Sequence, residues 1–315
     1  MIRSHAARAL LALPLVALLL VACRREPAVE PVPGDPVGAV QAQVQALRDN
    51  DLVRYSELSL PPDLHARTEA LWARRVAEAE PVDAEDAREY AEVMARLTAP
   101  DAEQALMRDL EPKLVQFEAE VAGQWPLMQA TAGIFLNAAI QANTELTEAE
   151  KTHGTEVVDA LLAWAQPALF TDRARARKAI AALSRTAREL DLPTLEQARA
   201  LPRPAALEKG GVALAGAKEA ARAYGLDLDQ SLDGATVELV ASEGDTATVK
   251  VSYPFLGKTV AFEMAMRRVG EGWYGADAIA AAEADLAEAG EATAAAGEAA
   301  PAPADTAAAG VVGAG

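Results

Sequence analysis

Cysteine occurs once in the 315 residues, at Cys23, so no disulfide can form within the chain and its folded part must be held by packing alone. Aromatic residues make up only 4% of the sequence, and histidine occurs at His5, His65 and His153 alone. The chain has no Gly-x-Ser-x-Gly elbow, no His-Glu-x-x-His pair, no phosphate-cradling glycine loop and no dinucleotide fingerprint. Without these motifs, and with little histidine, the balance points away from an enzyme, and no cofactor or metal is expected. Carboxylate-only chemistry such as glycoside hydrolysis needs no sequence motif and stays open as a hydrolase reading. It would require two acids converging in one cleft, and the scarcity of rings for stacking sugars weighs against it.

Acid dominates what is present: 47 Asp and Glu against 29 Lys and Arg, a formal charge of −18. A field of that sign repels nucleic acid and anionic head groups, so no nucleic-acid partner is expected. Alanine inflates the hydrophobic share to 51%. It favours helix but buries little area, which predicts long helices with thin, close interfaces.

The N-terminus carries Arg3, His5 and Arg8, then an apolar run from Ala9 to Ala22 broken only by Pro14. At about 14 residues this run is too short to cross a bilayer core, which takes about 20, and its layout is that of a signal peptide over 1–22. Leu20-Val21-Ala22-Cys23 resembles the lipobox of bacterial lipoproteins. The resemblance implies cleavage before Cys23, a diacylglycerol on its thiol and acylation of the freed amine, making Cys23 the lipid-attachment residue and the membrane a partner through that anchor. In the same family an aspartate after the cysteine favours the inner membrane. Arg24 stands there instead, which implies the outer membrane, on its periplasmic side. Cleavage would remove two of the 29 basic residues and leave 27 against 47 acidic, a charge of −20.

Residues 23–36 hold four prolines after the cysteine and read as an extended tether. Residues 37–232 carry helical periodicity, as in Ala87, Tyr90, Met94, Leu97 and again in Ile180, Leu183, Ala187, Leu190. Breaks fall at Pro81, Pro100, Pro193 and Pro202, and Pro112 predicts a kink or a new helix start. From 233 to 289 the period becomes two: Ala247, Val249, Val251 and Tyr253 alternate with polar residues, and turns at Gly244, Gly257 and Gly270 mark an antiparallel meander with a flanking helix. The alanine- and glycine-rich stretch 290–315 reads as a disordered tail. The fold class is therefore mainly α with a small C-terminal antiparallel β-meander, an α+β chain whose helices form a bundle or an irregular stack.

The strand-turn-strand around Gly244 to Val249, closing on Gly272-Trp273-Tyr274, resembles the sheet half of small cone-shaped domains of the nuclear-transport-factor type. That resemblance implies a helix such as Val37 to Asn50 packed into the sheet, and suggests a small-molecule carrier with a pocket lined by Val249, Val251, Phe262 and Met264.

Four further features carry chemistry or recognition in outline. Glu150 and His153 have the Glu-x-x-His spacing of di-metal bundles, but no second copy accompanies them, and Gly154 suggests a helix end. His65 and Glu69 lie one helical turn apart and read as an exposed pair. Arg173, Arg175, Arg177, Lys178, Arg185 and Arg188 form a dense basic cluster, read as salt-bridging to acidic helices, with lipid phosphates the alternative. Val121 to Asn143 contains no charge. A central helix buried on several sides is expected there, with membrane insertion or partner docking as the alternative. Together these readings point to a membrane-anchored envelope lipoprotein that binds a protein or apolar partner without catalysing a reaction.

Overall fold

A computed structural model describes residues 33–144 and 146–298. The expected signal segment, Cys23, most of the expected tether and the stretch 299–315 lie outside the described residues. In chain order the elements are α1 (Pro36–Arg48), α2 (Leu52–Ser59), α3 (Pro62–Ala77), α4 (Ala84–Thr98), α5 (Ala102–Glu120), a 3₁₀ turn (Ala122–Gln124), α6 (Trp125–Ala142), α7 (Glu148–Trp164), α8 (Pro167–Phe170), α9 (Arg173–Leu190), α10 (Leu195–Arg199), α11 (Arg203–Ala223), α12 (Leu228–Asp233), β1 (Thr236–Glu243), β2 (Thr246–Phe255), β3 (Lys258–Val269), β4 (Gly272–Gly275) and α13 (Ala276–Glu298). The chain is mainly helical with one antiparallel sheet, in the order β1-β2-β3-β4.

Helix starts follow local capping chemistry. Asp35, Asp51, Asp83, Asp172 and Asp227 each accept a hydrogen bond from a backbone N–H of the first turn of the helix that follows. Thr147 and Glu150 form a full capping box at the start of α7. The proline breaks fall between helices or at their first residues, but no new helix starts at Pro112 and none ends at Gly154. Helix α5 runs through Pro112 without interruption, because the lost N–H leaves only the Arg108 carbonyl unserved, beside an open groove lined by Arg108 and Pro112. Helix α7 continues past Gly154, where a side chain would press on Ile140 of α6.

The meander joins through two-residue turns. At the tip of β2 and β3, Phe255 pairs with Lys258, and both Leu256 and Gly257 have positive φ, as a tight hairpin of this twist requires. A leucine there is strained by about 1 kcal/mol. It is held because its side chain packs on the cluster of Ala160, Phe255 and Val260. Strand β2 extends through Pro254, past the last residue pairing with β1, so its missing N–H interrupts no ladder on that side.

One sheet face carries Ala247, Val249, Val251 and Met266, which pack with Ala39 and Val40 of α1 and with Trp273. Val249 is fully buried, and burial of each such valine stabilises by about 1.5–3 kcal/mol. Helix α1 thus packs on the sheet, so that segments 37–232 and 233–289 share one core. The far end of the same face, at Phe255 and Val260, is covered by Ala160 of α7. Of the residues expected to line a pocket, Val249 and Val251 are buried in this cluster and Phe262 and Met264 pack against it half-buried.

Elsewhere the interfaces are thin. On α9 the buried residues are Ala176, Ala179, Ala182, Ser184 and Ala187, while Leu183 of the expected stripe stays 44% exposed. Alanine rather than leucine faces inward because α11 lies so close: a Cβ on Gly216 would stand 1.9 Å from the Thr186 Oγ1. Buried Lys218 of α11 donates to the carbonyls of Leu47 and Arg48 at the end of α1 and pairs with Asp229 of α12, tying three helices together. Helix α13 runs to Glu298, so the alanine-rich stretch read as a loose tail from 290 begins as helix.

Candidate functional site

The expectation of a buried central helix at Val121 to Asn143 is overturned. Helix α6 has no buried residue. Leu127, Ile134 and Phe135 are 72%, 71% and 70% exposed, and Met128 and Leu136 are about half exposed.

The reason lies in the other face. Gln129 donates to the Leu162 carbonyl, Asn137 to Asp159 at 3.4 Å and Gln141 to the Thr155 hydroxyl at 3.5 Å, all on α7. Gly133 sits over Leu162 with 3.2 Å between its would-be Cβ and the leucine Cδ1, so the two helices approach closely. At the base of the hairpin Trp125 donates to the Ala165 carbonyl and packs edge-on to Phe117, with Phe170 behind it. Polar side chains thus hold α6 inward. At 100° per residue, Leu127, Met128, Thr131, Ile134, Phe135 and Ala138 fall on one outward stripe.

The result is an inverted amphipathic helix. An exposed apolar stripe without a charge is unusual on a chain this acidic, and such patches mark interaction sites. Among the described residues no helix is long and apolar enough to cross a membrane.

Behind the hairpin, α7 rests on the sheet through a ring cluster. His153 Nε2 lies 2.9 Å from the Tyr253 hydroxyl, and its ring packs on Phe262 at 5.2 Å. Burial pushes the His153 imidazole below its ordinary value, against the opposing field of Glu156, and burial pushes the Tyr253 phenol up. Glu150 does not meet His153. Its carboxylate turns back to the Thr147 N–H and hydroxyl, bonds that hold it below the usual carboxylate range.

His65 and Glu69 are not an exposed pair in isolation. The His65 ring, half-buried, lies 3.3 Å from the Ser56 hydroxyl, and Arg203 donates to Ser56 and Thr68 beside it. Sequence spacing missed this because Ser56 and Arg203 come from α2 and α11.

In the basic cluster, Arg173 holds Glu111 and Glu118, and these bonds push its guanidinium up. Arg185 pairs with Glu219, Arg188 donates to the Ala99 carbonyl closing α4, and Arg175 donates to Ala223. These residues bind acidic helices and helix ends, as expected.

Recesses stand apart from α6, two of them lined in part by acidic side chains that are already engaged. A groove of about 650 Å³ runs between Glu103, Gln104, Met107, Glu111 and Arg177. Its Glu111 is already engaged by Arg173, so the two acids lining it do not act as a free pair. A cavity of about 530 Å³ lies between Trp164, Phe255, Leu256 and Asp227. Its carboxylate is committed to Arg222 and the Gln230 N–H, and these bonds outweigh burial in keeping the Asp227 pKa low. Among the described residues no group of three or more His, Cys, Asp or Glu side chains is placed to hold a metal ion. Cys23, expected from its lipobox-like context to carry the lipid, lies outside the described residues.

Comparison with known proteins finds no matching family model, no matching curated protein and no matching solved structure.

Proposed function

We propose that this chain is an envelope lipoprotein, tethered through a lipid on Cys23, that recognises a protein partner through the outer stripe of α6 and catalyses no reaction. The observation that carries the reading is the exposure of Leu127, Ile134 and Phe135 on a helix whose polar side chains are spent on α7. A helix adapted to lie on lipid displays Lys and Arg along its polar face. Residues 121–143 contain none, which favours a protein surface over a head-group surface.

The anchor and the stripe support each other. The lipid confines the chain to a surface, where even a modest apolar interface gains from a raised effective concentration. The test has two arms. Radiolabelled palmitate should enter the full chain and be lost in Cys23→Ser. A photo-crosslinking residue at Phe135 in intact envelopes should give a discrete protein adduct, which Leu127→Lys abolishes. Adducts to lipid alone, or unlabelled protein, would refute the corresponding half.

A further inference from the structure

We infer that the protein seated on the α6 stripe is a second copy of this chain, paired antiparallel about Thr131; this rests on the reading of α6 as an interaction face. Leu127 and Met128 lie four and three residues before Thr131, and Ile134 and Phe135 lie three and four residues after it. The stripe is therefore a palindrome in position. A two-fold axis through Thr131 sets Leu127 of one copy against Phe135 of the other and Met128 against Ile134, the self-complementary arrangement a symmetric dimer requires. The residues at and beside the axis, Ala130, Thr131 and Ala132, are small, so two helices can come close there.

Charge selects the same face. Two copies of a chain carrying −18 repel wherever acids meet, and residues 121–143 are a long uncharged stretch on which they can approach. The paired stripes would cover about 500 Å² per copy, about 1,000 Å² in total, which is the lower bound for a specific interface. Dimerisation should therefore be weak in dilute solution and favoured at a membrane, where tethering concentrates the chain.

The experiment uses the full chain in its own envelope. Thr131→Cys is treated with copper phenanthroline as oxidant and the product is sized without reductant, with the wild-type chain, holding only Cys23, as the control. Thr131→Cys should give a disulfide-linked dimer where the control gives monomer. Leu127→Cys and Phe135→Cys should each link to themselves at least tenfold less than when the two variants are co-expressed. Adding Leu127→Glu to Thr131→Cys should cut the dimer at least tenfold, with the circular dichroism of the chain unchanged because Leu127 is exposed. A reactive Thr131→Cys that stays monomeric overturns the inference, as does one that links only to a protein of different mass or is shielded from reagents by lipid alone. Linkage to a different protein would leave the interaction face standing while removing the second copy; capture of lipid alone would remove both.

Discussion

Lys218 and Asp229 meet at 2.9 Å where α11, α12 and the end of α1 converge, and the same ammonium caps the Leu47 carbonyl at 2.5 Å. The lysine is 3% exposed. Burial pushes the Asp229 pKa up, but the bonds from Lys218 and Arg222 outweigh it and hold the group ionised. The pair positions the helix that packs into the sheet. The buried cation is matched by three acceptors, the Leu47 and Arg48 carbonyls and the Asp229 carboxylate.

Lys218→Met should therefore destabilise the fold by about 3 kcal/mol, the lower end for breaking a buried pair, since Arg48 and Arg222 still reach Asp229. Denaturant unfolding of the variant against wild type measures this. A change below about 1 kcal/mol would show that the pair only fills space.

The His153 contact predicts a pH dependence of stability. In the folded chain the imidazole pKa lies below its unfolded value of 6.5, so the unfolded state binds the proton more readily. Its contribution is intact above pH 6.5. It is lost as the pH falls from 6.5 toward the depressed folded value and is level below that. His153→Phe, which keeps a ring against Phe262, should flatten this part of the thermal stability profile between pH 7 and pH 5. An unchanged profile would place the dependence on other groups.

Gly216 marks the closest crossing of α9 and α11. Gly216→Ala would drive a methyl group into the Thr186 side chain, and overpacking of this kind costs about 2–3 kcal/mol despite the better helix propensity of alanine. Gly123, with nothing within 4 Å of its would-be Cβ, is the control, and its alanine variant should be neutral or slightly stabilising in the same melts.

The outward stripe makes a prediction opposite to that of a core helix. Leu127→Lys and Phe135→Lys should each change unfolding free energy by less than about 0.5 kcal/mol, as surface substitutions do, while abolishing the association that the stripe supports. A loss of several kcal/mol would mean that α6 is buried in the native state after all.

How far the sequence could be read depended on range. Helix breaks at Pro100, Pro193 and Pro202 and the alternation of Val249 and Val251 are dictated within a few residues by backbone hydrogen bonding and side-chain period, and these were legible from the sequence; the caps at Asp35 and Thr147 obey equally local rules but show only in the structure. Gly154 was misread because a neighbouring helix, absent from any local window, decides whether a weak position continues.

The amino-acid order alone thus determined an acidic, disulfide-free, mainly helical chain ending in a meander, together with the uncharged stretch at 121–143 and the lipobox-like Cys23. Which side of that stretch meets water was decided only in three dimensions. Apolar and amide side chains occur all around α6, so its period does not name an inner face. The acceptors on α7 at Leu162, Asp159 and Thr155 drew the amides inward and turned the leucine, isoleucine and phenylalanine out. Those hydrogen bonds, made across the helix pair and beyond the reach of any local window, set the orientation.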